Sequence, residues 1–226
     1  MYLKRYSAPD FWKVKKKEAG WITRPSAGPH KLGFCIPLKI LLRDVLKYAE
    51  NSEEAKKIIK KGKILVDGRE RKDPNYPAGL MDVVKVGEET FRIVVDKKGL
   101  QVVKVKEGAD KLCRINNKRK IKGGVYQLNL HDGRNLLTEE EKYKPGDSIL
   151  ISLPEQKILN HFQLKEGEQA FVISGRNIGF SGTIKNVKER KFLNERNKVV
   201  LENKGEKVET LKDYILVGSL QLEKEK

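Results

Sequence analysis

Apolar residues at Leu38, Leu41, Leu42, Val45, Leu46 and Ala49 recur at helical spacing, which predicts one helix with a core-facing stripe. Pro37 stands in front of them, in the first-turn position where a missing N–H costs nothing. Lys39, Arg43 and Lys47 repeat every four residues and predict a separate basic face on the same helix. A second helix is predicted from Asn51, which can cap it while Glu54 reaches back. It runs through Ala55, Ile58 and Ile59 to a stop at Gly62, and Lys56, Lys57, Lys60 and Lys61 make it strongly basic.

After Gly62 the period changes from helix to strand. In "KILVDGRERKDPNYP" a short apolar run meets Asp67-Gly68, a tight-turn pair between strands, and Arg69, Arg71 and Lys72 follow the turn. "MDVVKV", "TFRIVVD" and "LQVVKVK" read as further strands, with turns at Gly87 and Gly99. Two helices, a hairpin and these strands make one unit over residues 37–105. From 106 the chain reads almost entirely as β. "VYQLNLHDGRNLL" alternates, with Tyr126, Leu128 and Leu130 on one face and Gln127, Asn129 and His131 on the other. "LCRINNKRKIKGG" predicts a strand feeding a basic loop of Arg114, Lys118, Arg119, Lys120 and Lys122. "YKPGDSILISL" and "LKEGEQAFVIS" echo one another as apolar, Lys, any, Gly, acid and then strand, which predicts two small β units in tandem. "VETLKDYILVGSL" offers one more strand or a short docking element.

Residues 1–36 follow neither period. They mix basic residues with Tyr2, Tyr6, Phe11, Trp12 and Trp21, and Pro25 and Pro29 keep "RPSAGPHK" out of helix and inner strand. Basic residues among aromatics and stiff prolines suit a segment that orders on nucleic acid, with cations on phosphates and rings on bases. The expectation is an extended basic tail.

Charge sharpens that expectation. The 226 residues carry a formal net charge of +17, which favours a polyanionic partner. With 38% hydrophobic and 35% charged residues, the cores should be small and the surface large. No apolar run approaches the roughly 20 residues that cross a bilayer, and "MYLKRYSAPD" has no signal-peptide stretch, so a soluble, intracellular protein is expected. Cys35 and Cys113 stand far apart, and His30, His131 and His161 are scattered, so no zinc site and no cofactor are expected.

The stretch "ISGRNIGFSGTI" tests for an enzyme. Gly175 is followed by Arg176 and Asn177, which breaks the dinucleotide fingerprint, and the fifth position on is Phe180, which breaks the P-loop. No apolar helical stripe follows. The reading is a strand, a turn at Asn177 to Gly179, and a second strand in which Gly182 marks a bulge.

That stretch, within "EGEQAFVISGRNIGFSGTIKNV", resembles the KOW motif of ribosomal proteins and transcription elongation factors. "LKRYSAPDFW", "WITRPSAGPHKL", "CIPLKILLRDVLKYA", "ILVDGRERKDPNYPAGLMDVVKV" and "KLCRINNK", in this order, resemble the archaeal and eukaryotic small-subunit ribosomal protein family known as S four e. The likeness covers nearly the whole chain. The family commonly has a few more basic residues before "LKR" and a charged pair where Gly33 and Phe34 stand here, and the lack of a long extension after Gly218 favours the archaeal form.

The resemblance implies a mostly β, multi-domain α+β protein. Its parts would be an extended N-terminal segment (1–36), an S-four-type RNA-binding module (37–105), a central β domain (106–165) and a small KOW-containing barrel with a C-terminal tail (166–226). It implies a non-catalytic, cytoplasmic, ribosome-bound protein whose partners are small-subunit ribosomal RNA and neighbouring ribosomal proteins, with no membrane, small-molecule substrate or homo-oligomer. The expected RNA contacts are Lys4, Arg5, Lys13, Lys15, Lys16, Lys17, Arg24, His30 and Lys31 in the N-terminal segment. Arg43, Lys47, Lys60, Lys63, Arg69, Arg71 and Lys72 follow in the module, and Arg176, Asn177 and Lys185 near the KOW turn. An RNA-modifying enzyme would need a larger domain holding a catalytic acid in a pocket. A KOW-bearing transcription factor leaves the basic segment and helical module unexplained.

Overall fold

The computed structural model describes residues 2–12, 14–105, 110–188, 190 and 195–218. It contains two compact units, one of residues up to Val94 with Gly99–Lys111, the other of Val95–Lys98 with Leu112–Leu222.

In the first unit, β1 (Tyr2–Lys4) and β2 (Trp21–Thr23) pair antiparallel. The N-terminal segment is therefore folded, contrary to the expected extended tail. Its apolar residues explain why: Trp12 is fully buried, its indole N–H donates to the Cys35 carbonyl at 2.7 Å, and Ile22 is buried too. Burying a ring of that size removes a large apolar area from water and so contributes to ordering the segment. The strand β3 (Cys35–Pro37) then leads into Leu38–Ile40, one α-helical turn that widens into a π-type turn at Leu41–Val45. Lys47 is left-handed (φ 58°), so this first helix ends well short of Ala49. The second helix, Ser52–Lys60, forms as its pattern predicts. Asn51 Oδ1 accepts from the N–H groups of Glu53 and Glu54, Glu54 reaches back to the Glu50 N–H, and Ala55 and Ile59 are buried.

Strands β4 (Ile64–Val66) and β5 (Arg69–Glu70) form the hairpin around Asp67-Gly68, both left-handed as a tight hairpin turn requires. With β6 (Pro77–Gly79) pairing β3, the strands β7 (Val83–Val86), β8 (Glu89–Asp96) and β9 (Gly99–Val105) complete a sheet of order β5-β4-β7-β8-β9.

The second unit holds two five-stranded sheets. One has β10 (Asp110–Lys120), β11 (Tyr126–Leu130), β12 (Asn135–Thr138), β13 (Ser148–Ser152) and β14 (Ile158–Phe162) in the order β12-β11-β10-β13-β14. Its core is Cys113, Ile115, Leu128, Leu130, Leu136, Tyr143, Ile149 and Ile151. Arg114, Lys118, Arg119 and Lys120 belong to β10 itself; of the basic residues assigned to a loop, only Lys122 lies in the turn.

The other sheet has β15 (Gln169–Val172), β16 (Ser181–Lys188), β17 (Lys198–Asn203), β18 (Glu206–Leu211) and β19 (Ile215–Val217) in the order β18-β17-β16-β15-β19. The two echoed turns have the same form. Asp147 N–H donates to the Lys144 carbonyl and Glu168 N–H to that of Lys165, with Gly146 and Gly167 both left-handed. Their acids differ in role. Asp147 is buried and accepts from Lys144 N–H and Leu164 N–H, whereas Glu168 is exposed.

Candidate nucleic-acid interface

The opening glycines of "ISGRNIGFSGTI" serve a turn. Gly179 N–H donates to the Val172 carbonyl, and Val172 N–H donates to the Phe180 carbonyl, which closes the loop between β15 and β16. Gly179 has φ +78°, and a side-chain carbon there would lie 2.3 Å from Lys97 N. Gly182 is not the bulge. That irregularity falls between Ile184 and Asn186, while Gly182 lets the Glu202 carbonyl approach to within 2.6 Å of where a Cβ would stand. A strand follows the loop, so no helix N-terminus is presented to phosphate.

The anticipated RNA contacts separate into three groups. Lys4, Lys17, Arg24, Lys31, Lys47, Lys60, Lys63, Arg69 and Arg176 are exposed, with no carboxylate in salt-bridge range among the described residues. Lys57 and Lys61 on the second helix share that state, although the sequence reading did not place them among the contacts. A second group is partnered. Lys15 pairs with Glu18 at 3.0 Å, Lys16 with Asp10, Lys72 with Glu70 at 3.2 Å and Lys185 with Glu202 at 3.0 Å. Arg43 grips Asp44 through two nitrogens (3.1 and 2.8 Å) and Ser52 Oγ through a third. Arg71 lies over the Tyr76 ring, 4.5 Å from its centroid. Asn177 is half-buried, with its carbonyl accepting from Phe180 N–H.

The third group is internal. Arg5 is buried, donating to the Lys15 carbonyl and pairing with Glu18 at 3.3 Å. His30 is buried with Nε2 3.1 Å from Asp82. Lys13 lies outside the described residues. The Lys39, Arg43 and Lys47 face also fails to form. Lys39, ahead of the π-type turn, is buried, Arg43 within the turn is held by Asp44, and Lys47 stands at the left-handed stop. Burial first, and then Lys56 and Arg43, push the Lys39 ammonium below its ordinary range.

Aromatic groups stand among the free cations. Opposed residues share a face of the β1–β2 pair, and Lys4 opposes Trp21 while Tyr2 lies two residues from Lys4. Tyr2, Lys4 and Trp21 therefore project together, with the two rings 69% and 61% exposed. The opposite face carries Leu3 and the buried Ile22. Lys56 pairs with Glu53 at 2.6 Å, which is the main cause of its raised pKa.

Beneath this surface is a charged network that the sequence reading missed. Lys111 Nζ lies 2.9 Å from Asp67 and 2.5 Å from Asp82, and all three are buried. Asp82 also accepts from Gly79 N–H and Asp67 from Val83 N–H. Burial alone would raise the Asp82 carboxyl; Lys111 and then His30 outweigh it and hold the group far below the carboxylate range. Burial, with Asp82 adding to it, pushes the Cys35 thiol up to about 12, so it stays protonated. Among the described residues, no group of three or more His, Cys, Asp or Glu could hold a metal ion. None of their helices is long and apolar enough to cross a membrane.

Exposed cations beside exposed aromatic rings are the surface features of a nucleic-acid-binding class of protein. Family models sharpen the class. The ribosomal family S4e matches residues 87–158, the RS4NT domain residues 2–33 and the S4 domain residues 37–84. The small ribosomal subunit protein eS4 of Methanococcus aeolicus is 44% identical over 96% of this chain and 93% of its own. Its counterpart in Methanocaldococcus jannaschii is 45% identical with the same coverage. A crystal structure of the 30S ribosomal protein S4e from Thermoplasma acidophilum has a TM-score of 0.71 at 28% identity, covering 80% of this chain and 93% of that one. The chain belongs to the ribosomal S4e family.

Proposed function

We infer that the protein is a structural constituent of the small ribosomal subunit that binds ribosomal RNA and stabilises it by charge neutralisation and shape. The observation that carries this is the 44% identity over 96% of the chain to a small-subunit ribosomal protein. The unpaired cations on its S4 domain supply the chemistry. Each cation that meets a phosphate releases condensed counterions, and rigid modules then fix the geometry of the RNA they touch.

Within this reading, Arg24, Lys31, Lys47, Lys60, Lys63 and Arg69 carry phosphate contacts, joined by Lys57 and Lys61. Arg5 and His30 act instead through the fold, because each is buried against a carboxylate. Arg176 serves the KOW turn. Residues 166–226 would form the KOW barrel and 106–165 the central domain, with 37–105 as the RNA-binding module and 1–36 packed beside it. The protein acts without catalysis, in the cytoplasm, next to other small-subunit proteins.

Gradient sedimentation of cell lysates tests the assignment. The protein is expected with small subunits, and crosslinking with RNA sequencing should recover small-subunit ribosomal RNA. Co-sedimentation with RNA polymerase instead would overturn it.

A further inference from the structure

The loop 24–30, between β2 and the buried His30, walls a cavity of about 580 Å³ with Leu32 and Asn75. That volume is typical of small-ligand sites. Its walls are rigid for identifiable reasons. Pro25 and Pro29 restrict the backbone, Ser26 N–H donates to the Asn75 carbonyl at 2.9 Å, and Ser26 Oγ donates to Asp73 at 2.6 Å. His30 is held from behind by Asp82. Two lining side chains differ from the rest. The Arg24 guanidinium and the Asn75 carboxamide have no intramolecular partner among the described residues, although the neighbouring Ser26 and His30 side chains are engaged. Pro25, Ala27 and Leu32 supply apolar wall between them.

An unpaired planar cation, an unpaired donor–acceptor amide and apolar walls match one unit of a polynucleotide. A guanidinium takes a phosphate through two parallel hydrogen bonds, a carboxamide reads a base edge with one donor and one acceptor, and apolar groups cover a base face. We propose that this cavity receives a single unpaired nucleotide splayed out of ribosomal RNA, with Arg24 on its phosphate and Asn75 on its base. The proposal rests on the RNA-binding reading and adds to it a base-reading site within a surface otherwise fitted to phosphate.

The test uses the full chain and labelled hexaribonucleotides of mixed sequence, with an A-form RNA duplex of about 16 base pairs as the second probe. Asn75→Ala keeps the backbone groups that Ser26 and Asp73 use, so its circular dichroism should match the parent. It should weaken hexamer binding about tenfold, leave the slope against salt unchanged, and leave duplex binding within about twofold. Arg24→Ala should weaken the hexamer and reduce that slope by about 0.7. Asn75→Asp, which keeps the side-chain shape but adds a charge, should weaken it at least as much as Asn75→Ala.

Equal loss on hexamer and duplex, or no loss with Asn75→Ala, would overturn the proposal while leaving RNA binding intact. A parent protein that bound neither probe nor small-subunit ribosomal RNA would overturn the RNA reading itself. Millimolar mononucleotides should not displace the hexamer; displacement by one of them would replace the RNA strand with a free nucleotide as the ligand.

Discussion

Lys111 and Asp82 form a salt bridge of 2.5 Å at 1% and 2% side-chain exposure, and Lys111 also reaches Asp67 at 2.9 Å. With His30 closing on the same Asp82, the geometry joins four separate stretches of the first unit. Asp67 belongs to the β4–β5 turn and Asp82 precedes β7, so the ammonium ties two turns of one unit to the start of β10. Removing Lys111 leaves two carboxylates with less compensation where water cannot reach. Lys111→Met should therefore lower unfolding free energy by about 3–5 kcal/mol, measured by urea denaturation at neutral pH. A loss under about 1 kcal/mol would show that the network adds little.

The same network sets an acid response. A carboxyl held below its ordinary value in the folded state contributes stability above the unfolded pKa, near 3.8 for Asp82, and loses it as the pH falls towards the folded value. Stability should therefore stay level from neutral pH to about 4 and decline below it. In Lys111→Met, burial weighs more heavily on Asp82, so the decline should begin less steeply. Denaturation midpoints at a series of acid pH values check both curves, and identical slopes in the two proteins would refute the assignment.

The turn at Gly179 is sterically closed. A side chain there meets Lys97 N at 2.3 Å and also requires a left-handed backbone at φ +78°. Gly167 is left-handed too, at φ +91°, but faces open space. Gly167→Ala should cost about 1–2 kcal/mol, and Gly179→Ala more than about 2 kcal/mol. Thermal unfolding of the two variants side by side separates backbone strain from steric overlap.

Salt dependence distinguishes free cations from engaged ones. Replacing Lys60, Lys63 and Arg69 together by Gln should reduce the slope of log affinity against log salt by roughly two, at about 0.7 per phosphate. Arg43→Gln should change it by less than about half a unit, because Asp44 already neutralises that guanidinium. Filter binding to small-subunit ribosomal RNA from low to moderate salt reads both slopes.

The two tryptophans report on different events. Trp12 is fully buried and Trp21 is 61% exposed, and the chain has only these two. Acrylamide should quench Trp21 in the free protein, and bound RNA should shield it. Trp21→Phe should remove the RNA-dependent change and keep the unfolding signal of Trp12. An RNA response that survives Trp21→Phe would take that ring out of the interface.

Local pattern was a sound guide where neighbouring residues decide the outcome. The helix after Asn51 carries its own cap and stripe, and the Asp67-Gly68 turn needs only two left-handed residues. The first helix was less legible, because a π-type turn leaves the apolar spacing almost unchanged while rotating every later side chain. Basic residues were harder still. Lys60 and Lys111 look alike along the chain, yet one is exposed and the other buried between two carboxylates. No local signal marks that difference, since Asp67 and Asp82 are 44 and 29 residues away from Lys111.

By itself, the sequence determined the mostly β character of the chain, its positive charge, the positions of its tight turns and the family it resembles. Each depends on periodicity, composition or motifs that a linear chain carries. Only the tertiary structure decided which cations are exposed and unpaired among the described residues, that the N-terminal segment packs around Trp12, and that Arg24 and Asn75 line one cavity. Burial and pairing arise between residues distant along the chain, where desolvation reverses what a charge does at the surface.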